Sequence, residues 1–152
     1  MEQTKKEGRY GRIYQQLNEL LKKPGDFNSR LSTIAAVLHH KMDYFFWTGF
    51  YLLNEGELIV RTYQGPAACQ VLEKGRGVCW ACILRGESII VADVHAFPGH
   101  IACDSRSRSE IVVPLKDKGG NITGVFDIDS KDIGSFDETD QVWLERIVGL
   151  LC

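Results

Sequence analysis

Long apolar runs are missing from this chain. Nothing in it approaches the roughly 20 consecutive apolar residues that a membrane helix requires, so it does not read as membrane-spanning. The opening Met1-Glu2-Gln3-Thr4-Lys5-Lys6-Glu7 has no apolar segment where a secretory leader would need one, and a cytoplasmic location is expected. Basic excess is missing too. Lys and Arg number 18 against 20 Asp and Glu, a net charge of −2, whereas tight nucleic-acid binders carry a basic surplus. There is no internal repeat, linker or low-complexity segment. There is no phosphate loop, no His-Glu-x-x-His and no Gly-x-Ser-x-Gly, and Gly75-Arg76-Gly77 does not complete a dinucleotide fingerprint.

What is present is an ordinary globular composition: 152 residues, 44% hydrophobic and 25% charged. This excludes disorder, collagen and coiled coil, and the length suits one domain spanning residues 1–152. Five cysteines stand out: Cys69, Cys79, Cys82, Cys103 and Cys152. In a reducing compartment structural disulfides are rare, so the thiols point to redox work, catalysis or metal binding, with core packing as the plain alternative.

Periodicity lays out the elements. Ile13, Leu17, Leu20 and Leu21 share a helical face that ends at Pro24-Gly25, and Leu31, Ile34, Ala35 and Leu38 repeat the spacing. Trp47 to Leu53 and Glu57 to Tyr63 read as strands joined at Asn54-Glu55-Gly56. Val78 to Leu84 reads as a short helix closed by Gly86, Ser88 to Val91 as a short strand, and Asp93 to Ser109 as a long functional loop. Glu110 to Leu115 and Ile122 to Asp129 are strands around a turn at Lys118-Gly119-Gly120, and a last helix aligns Leu144, Ile147, Val148 and Leu151. The expected fold is α+β, a central antiparallel sheet of about five or six strands flanked by N- and C-terminal helices.

Three constellations carry chemistry. Cys79, Cys82, His95 and His100 are spaced as in a zinc finger, but Pro98-Gly99 breaks the helix that both histidines would share. A non-finger zinc site drawn from Cys79, Cys82, His100 and Cys103 stays open. Second, Cys79 falls in the first turn of its helix, where the dipole favours a thiolate, while Cys103 lies in the long loop; Cys82 and Cys152 read as core residues. Third, Asp127 and Asp129 are two apart in an apolar strand and share a face, with Glu110 opening the next strand. They form either a solvated sheet face or a pocket for a cation. An EF-hand is ruled out because its fifth position would be Lys131.

Seven short motifs in order complete the reading. Trp47-Thr48-Gly49-Phe50-Tyr51, Tyr63-Gln64-Gly65-Pro66-Ala67-Ala68-Cys69, Gly75-Arg76-Gly77-Val78-Cys79, Asp93-Val94-His95, Pro98-Gly99-His100-Ile101-Ala102-Cys103-Asp104, Ser109-Glu110-Ile111-Val112-Val113-Pro114 and Gly124-Val125-Phe126-Asp127-Ile128-Asp129-Ser130 resemble the free methionine-(R)-sulfoxide reductases, small enzymes on a GAF-domain fold. The resemblance runs from about Asp43 to the C-terminus. It implies a GAF-like domain, no cofactor, no metal, free methionine-(R)-sulfoxide as substrate, thioredoxin as reductant and, by analogy, a homodimer. It implies Cys103 as the attacking thiol and Cys69 and Cys79 as resolving partners, Cys69 favoured as first, with Cys79 as the alternative attacker. It places substrate contacts on Trp47, Tyr51, Glu110, Asp127 and Asp129.

The chemistry of these residues fits that implication. A sulfoxide needs a soft nucleophile and a proton for its oxygen. Clustered acids hold one another's protons, and Glu110 is the expected donor. Asp127 and Asp129 suit the α-ammonium that only the free amino acid carries, and a buried charge lacking its partner costs about 3–5 kcal/mol. The chain departs from the family at Trp80, where glycine is usual, and in the extra thiol Cys82. Trp80 either narrows the pocket or faces the core, and Cys82 is either a fourth relay thiol or silent. A non-enzymatic GAF module that binds a small ligand or senses redox state is the alternative function.

Overall fold

The computed structural model describes residues 1–100 and 103–152; Ile101 and Ala102 of the motif ending at Cys103 lie outside them. Two helices open the chain, α1 (Gln3–Leu20) and α2 (Phe27–Lys41). Then come β1 (Trp47–Asn54), β2 (Glu57–Gln64), β3 (Val71–Leu72), α3 (Gly77–Arg85), β4 (Ile89–Val91), β5 (Ser109–Lys116), β6 (Ile122–Ser130) and α4 (Glu138–Val148). The strands form one antiparallel sheet in the order β3-β2-β1-β6-β5-β4. No described helix is long and apolar enough to cross a membrane.

Local chemistry sets the element ends. Asp26 accepts from the Ser29 N–H while the Ser29 hydroxyl accepts from the Asp26 N–H, a reciprocal cap that starts α2. Gly86 closes α3 at φ +72°, and its N–H donates to the Cys82 carbonyl at 2.8 Å. Glu55 and Gly56 both have positive φ between β1 and β2, the turn whose twist matches a hairpin. The two-residue β3, absent from the sequence reading, pairs with Leu58 and Ile59.

Alternation along the strands gives the sheet two buried faces. On one, Phe50 and Phe126 are cross-strand partners with rings 4.3 Å apart, and they join Ile111, Val113 and Ile128 against α1, α2 and α4. The N- and C-terminal helices therefore lie on the same face. The other face carries Val112, Val125 and Tyr51 under α3. A buried polar knot ties α1 to α4: Lys6 Nζ lies 2.6 Å from Asp140, whose other oxygen accepts from the Tyr10 hydroxyl at 2.6 Å and the Tyr44 hydroxyl at 2.5 Å.

Candidate active site

The α3 face of the sheet bears the acids. Trp47 pairs with Asp129, and Asp129 with Glu110, in one cross-strand row; Gly49 and Asp127 pair in the next. Because side chains two apart on a strand share a face, these rows place Trp47, Tyr51, Glu110, Asp127 and Asp129 around one recess, with Cys79 from α3 and Cys103 from the long loop in its walls. Gly49 is required here. A methyl at that position would overlap the Tyr63 Cβ and the Trp47 ring. Without it the Trp47 indole lies between Tyr51 and Tyr63, at 5.8 and 5.2 Å between ring centroids. The Trp47 N–H donates to the Pro66 carbonyl at 3.1 Å and the Tyr51 hydroxyl to the Cys69 carbonyl at 3.4 Å, so the aromatic wall also anchors the segment that carries Cys69.

Cys69 and Cys103 form a disulfide, with Cα atoms 5.6 Å apart. Cys79, Cys82 and Cys152 are free. Cys82 is buried in the apolar layer, where burial pushes its thiol up to about 12, and it does not line the recess. Cys152 is exposed at the chain end rather than in the core, because it follows the last apolar turn of the C-terminal segment. Trp80 also faces the core: it is buried, and its N–H donates to the Leu72 carbonyl at 3.4 Å. His95 sits in a short 3-10 turn, Val94–Ala96, apart from α3, so no finger forms. The mixed zinc set loses Cys103 to its disulfide.

Burial decides the electrostatics. Glu110 and Asp127 are each 6% exposed, which rules out the solvated-face reading of the acidic strand. Burial first, then the charges of Asp127 and Asp129, holds the Glu110 carboxyl well above the usual carboxylate range. Asp129 is raised by burial and by Asp127. Asp127 is raised by burial, partly offset by protons that Glu110 and Cys79 donate toward it. Among the described residues no Lys, Arg or His forms an ion pair with any of the three, and Asp127 Oδ1 has no hydrogen-bond partner. A buried carboxylate without a cationic partner is costly.

One electrostatic expectation is reversed. Cys79 is the third residue of α3, but burial and the charges of Asp127, Glu110 and Asp129 push its thiol well above the ordinary value. These outweigh the helix dipole, whose effect at an exposed terminus is only about 0.3–1 kcal/mol. The loop beyond Cys103 is pinned separately. Asp104 accepts from Arg106 Nε at 3.0 Å and Nη2 at 2.8 Å, and that guanidinium lies 4.9 Å above the Phe46 ring. Arg106 is thus committed to Asp104. His100 lines the recess with a buried, unpartnered Nε2. Sequence reasoning missed Arg76 and Ser107, which also line the recess; only their places near Cys79 and Glu110 in the chain mark them.

Fold and site together define a GAF-type protein with a disulfide set over an acid-floored recess. Residues 29–151 match the GAF domain family. GAF domain-containing protein A of Dictyostelium discoideum is 46% identical over 147 residues, covering 96% of this chain and 92% of that one. The free methionine-R-sulfoxide reductase of Escherichia coli is 39% identical over 93% of this chain and 86% of its own length. The X-ray structure of the free methionine-R-sulfoxide reductase from Neisseria meningitidis, solved in complex with its substrate, superposes with a TM-score of 0.89 at 41% identity, covering 93% of this chain and 85% of that one. The chain belongs to the free methionine-R-sulfoxide reductase family of GAF-domain proteins.

Proposed function

We propose that this protein reduces free L-methionine-(R)-sulfoxide to methionine, and that residues 1–152 act as one GAF-like catalytic domain. The observation that carries the reading is that Cys103, bonded to Cys69, shares a recess with three carboxyls that lack a cationic partner. The substrate's α-ammonium supplies that cation at Asp127 and Asp129, and Trp47 and Tyr51 wall its S-methyl group. A methionine sulfoxide inside a polypeptide has no such ammonium and leaves the buried acids unpaired, at about 3–5 kcal/mol.

In the reaction the Cys103 thiolate attacks the sulfoxide sulfur while Glu110 gives its proton to the oxygen. Methionine leaves, and the oxygen stays on Cys103 as a sulfenic acid. The Cys69 thiol attacks that sulfur, water departs, and the Cys69–Cys103 disulfide forms. Thioredoxin, poised at about −270 mV, returns two electrons and two protons to restore both thiols. Cys79 stands in reserve as a second resolving thiol. This cycle suits the reducing cytoplasm, and a homodimer follows the family's habit.

The test is consumption of three substrates by the reduced protein: free R-sulfoxide, free S-sulfoxide and a peptide-bound sulfoxide. Turnover confined to the free R epimer is expected. Binding of that epimer without its conversion would instead make the protein a GAF-type sensor.

A further inference from the structure

Cys79 on α3, Glu110 on β5 and Asp127 on β6 bring one sulfur and two carboxylate oxygens to within 4.8 Å of one another. Three separate elements converge there, so the cluster is fixed by the fold rather than by a local turn. Asp127 is 6% exposed, and its Oδ1 has no hydrogen-bond partner among the described residues. Donors around a tetrahedral zinc ion stand roughly 3.5 Å apart, with Zn–S near 2.3 Å and Zn–O near 2.0–2.2 Å. Drawn in from 4.8 Å to that spacing, the three donors would share one ion, with a fourth position left for water or another ligand. A sulfur among the donors selects borderline-soft cations and disfavours magnesium and calcium, which take oxygen sets. The set also survives oxidation of the protein, because Cys79 stays free when Cys69 and Cys103 are bonded.

We propose that Cys79, Glu110 and Asp127 form a binding site for a thiophilic divalent cation of the zinc class, and that the ion there competes with the substrate's ammonium for Asp127. The ion is an inhibitor rather than a resident cofactor. The competition rests on the reductase reading; the binding site does not. Both cations answer the same need, a buried carboxylate without a positive partner.

Cadmium is the probe for the site, because its bond to a thiolate gives a charge-transfer band in the ultraviolet. Protein carrying the Cys69–Cys103 disulfide is expected to take up one equivalent with that band, zinc to displace it and excess magnesium to leave it unchanged. Cys79→Ser should remove the band, whereas Cys82→Ser and Cys152→Ser should keep it. Asp127→Asn, with every thiol intact, should weaken cadmium binding by about tenfold or more; it covers the case in which Cys79→Ser does not fold. A band that survives Cys79→Ser, or an affinity unmoved by Asp127→Asn, overturns the site.

The competition is tested in reduced, reductant-free protein, which makes a single burst of methionine. One equivalent of zinc should slow that burst, and raising the sulfoxide concentration should restore it; a burst that zinc leaves unchanged overturns the competition. No cadmium uptake in a protein that turns over free R-sulfoxide removes the site and keeps the reductase. Cadmium uptake lost in Cys79→Ser, in a protein that never consumes the sulfoxide, keeps the site and removes the reductase.

Discussion

Glu110→Gln separates the proton-donor role from the packing role of this carboxyl. Its oxygens come within 4.8 Å of Asp127. At that separation two charges repel by about 3 kcal/mol with an effective dielectric near 20. That repulsion adds to the burial that already disfavours a charged Glu110. The wild-type carboxyl therefore keeps its proton above the usual carboxylate range, and loses it only as the pH climbs further. Glutamine preserves shape and hydrogen bonding but has no acidic proton. A positioned general acid contributes about 10²–10⁴ in rate, so the single-turnover rate at neutral pH should fall by about that factor, with KM changed little. Rapid quench of reduced protein with free R-sulfoxide across a pH series measures it. The wild type should show a falling alkaline limb that Glu110→Gln lacks. Asp127→Asn removes the repulsion, so it should move that limb to lower pH while raising KM. A Glu110→Gln protein with an undiminished burst and an unchanged limb refutes the assignment.

Three further outcomes are expected. Cys103→Ser should abolish turnover, while Cys69→Ser should still yield about one methionine per protein and then recycle with thioredoxin far more slowly, through Cys79 alone, read by quantifying methionine in single and multiple turnover. Gly49→Ala should overpack the Trp47–Tyr63 wall and cost about 1–3 kcal/mol in urea unfolding, with weaker substrate binding. Lys6→Met should leave Asp140 charged, buried and without its cation, costing about 3–5 kcal/mol of stability while the burst rate of the folded fraction stays unchanged.

The helical faces were legible because burial follows a period that sequence displays: Leu31, Ile34, Ala35 and Leu38 are all fully buried. The hairpin β1–β2 and the β5–β6 pair announced themselves by apolar segments bounded by turn residues. β3 did not, since two residues carry no period and its pairing to Leu58 and Ile59 is a long-range fact. The site was legible in part. Spacing put Asp127 and Asp129 on one side of β6, but whether that side met water depended on α3 and the Cys103 loop covering it. The dipole at Cys79 was legible and the desolvation that overrides it was not, because desolvation is set by neighbours remote in the chain.

That same desolvation bears on which thiol attacks. Cys79 is 4% exposed and stands among the carboxyls, so its proton is held first by burial and then by the neighbouring acids, Asp127 foremost. Only a thiolate is an effective nucleophile, and burial in the resting recess disfavours that form of Cys79. Cys103 enters the same recess from the long loop, and its immediate neighbour Asp104 is paired with the bidentate Arg106. On the proposed cycle, an ammonium seated at Asp127 and Asp129 would cancel negative charge in the recess that Cys103 shares. On that cycle, the acids that recognise the free amino acid would also link formation of the nucleophile to arrival of the substrate.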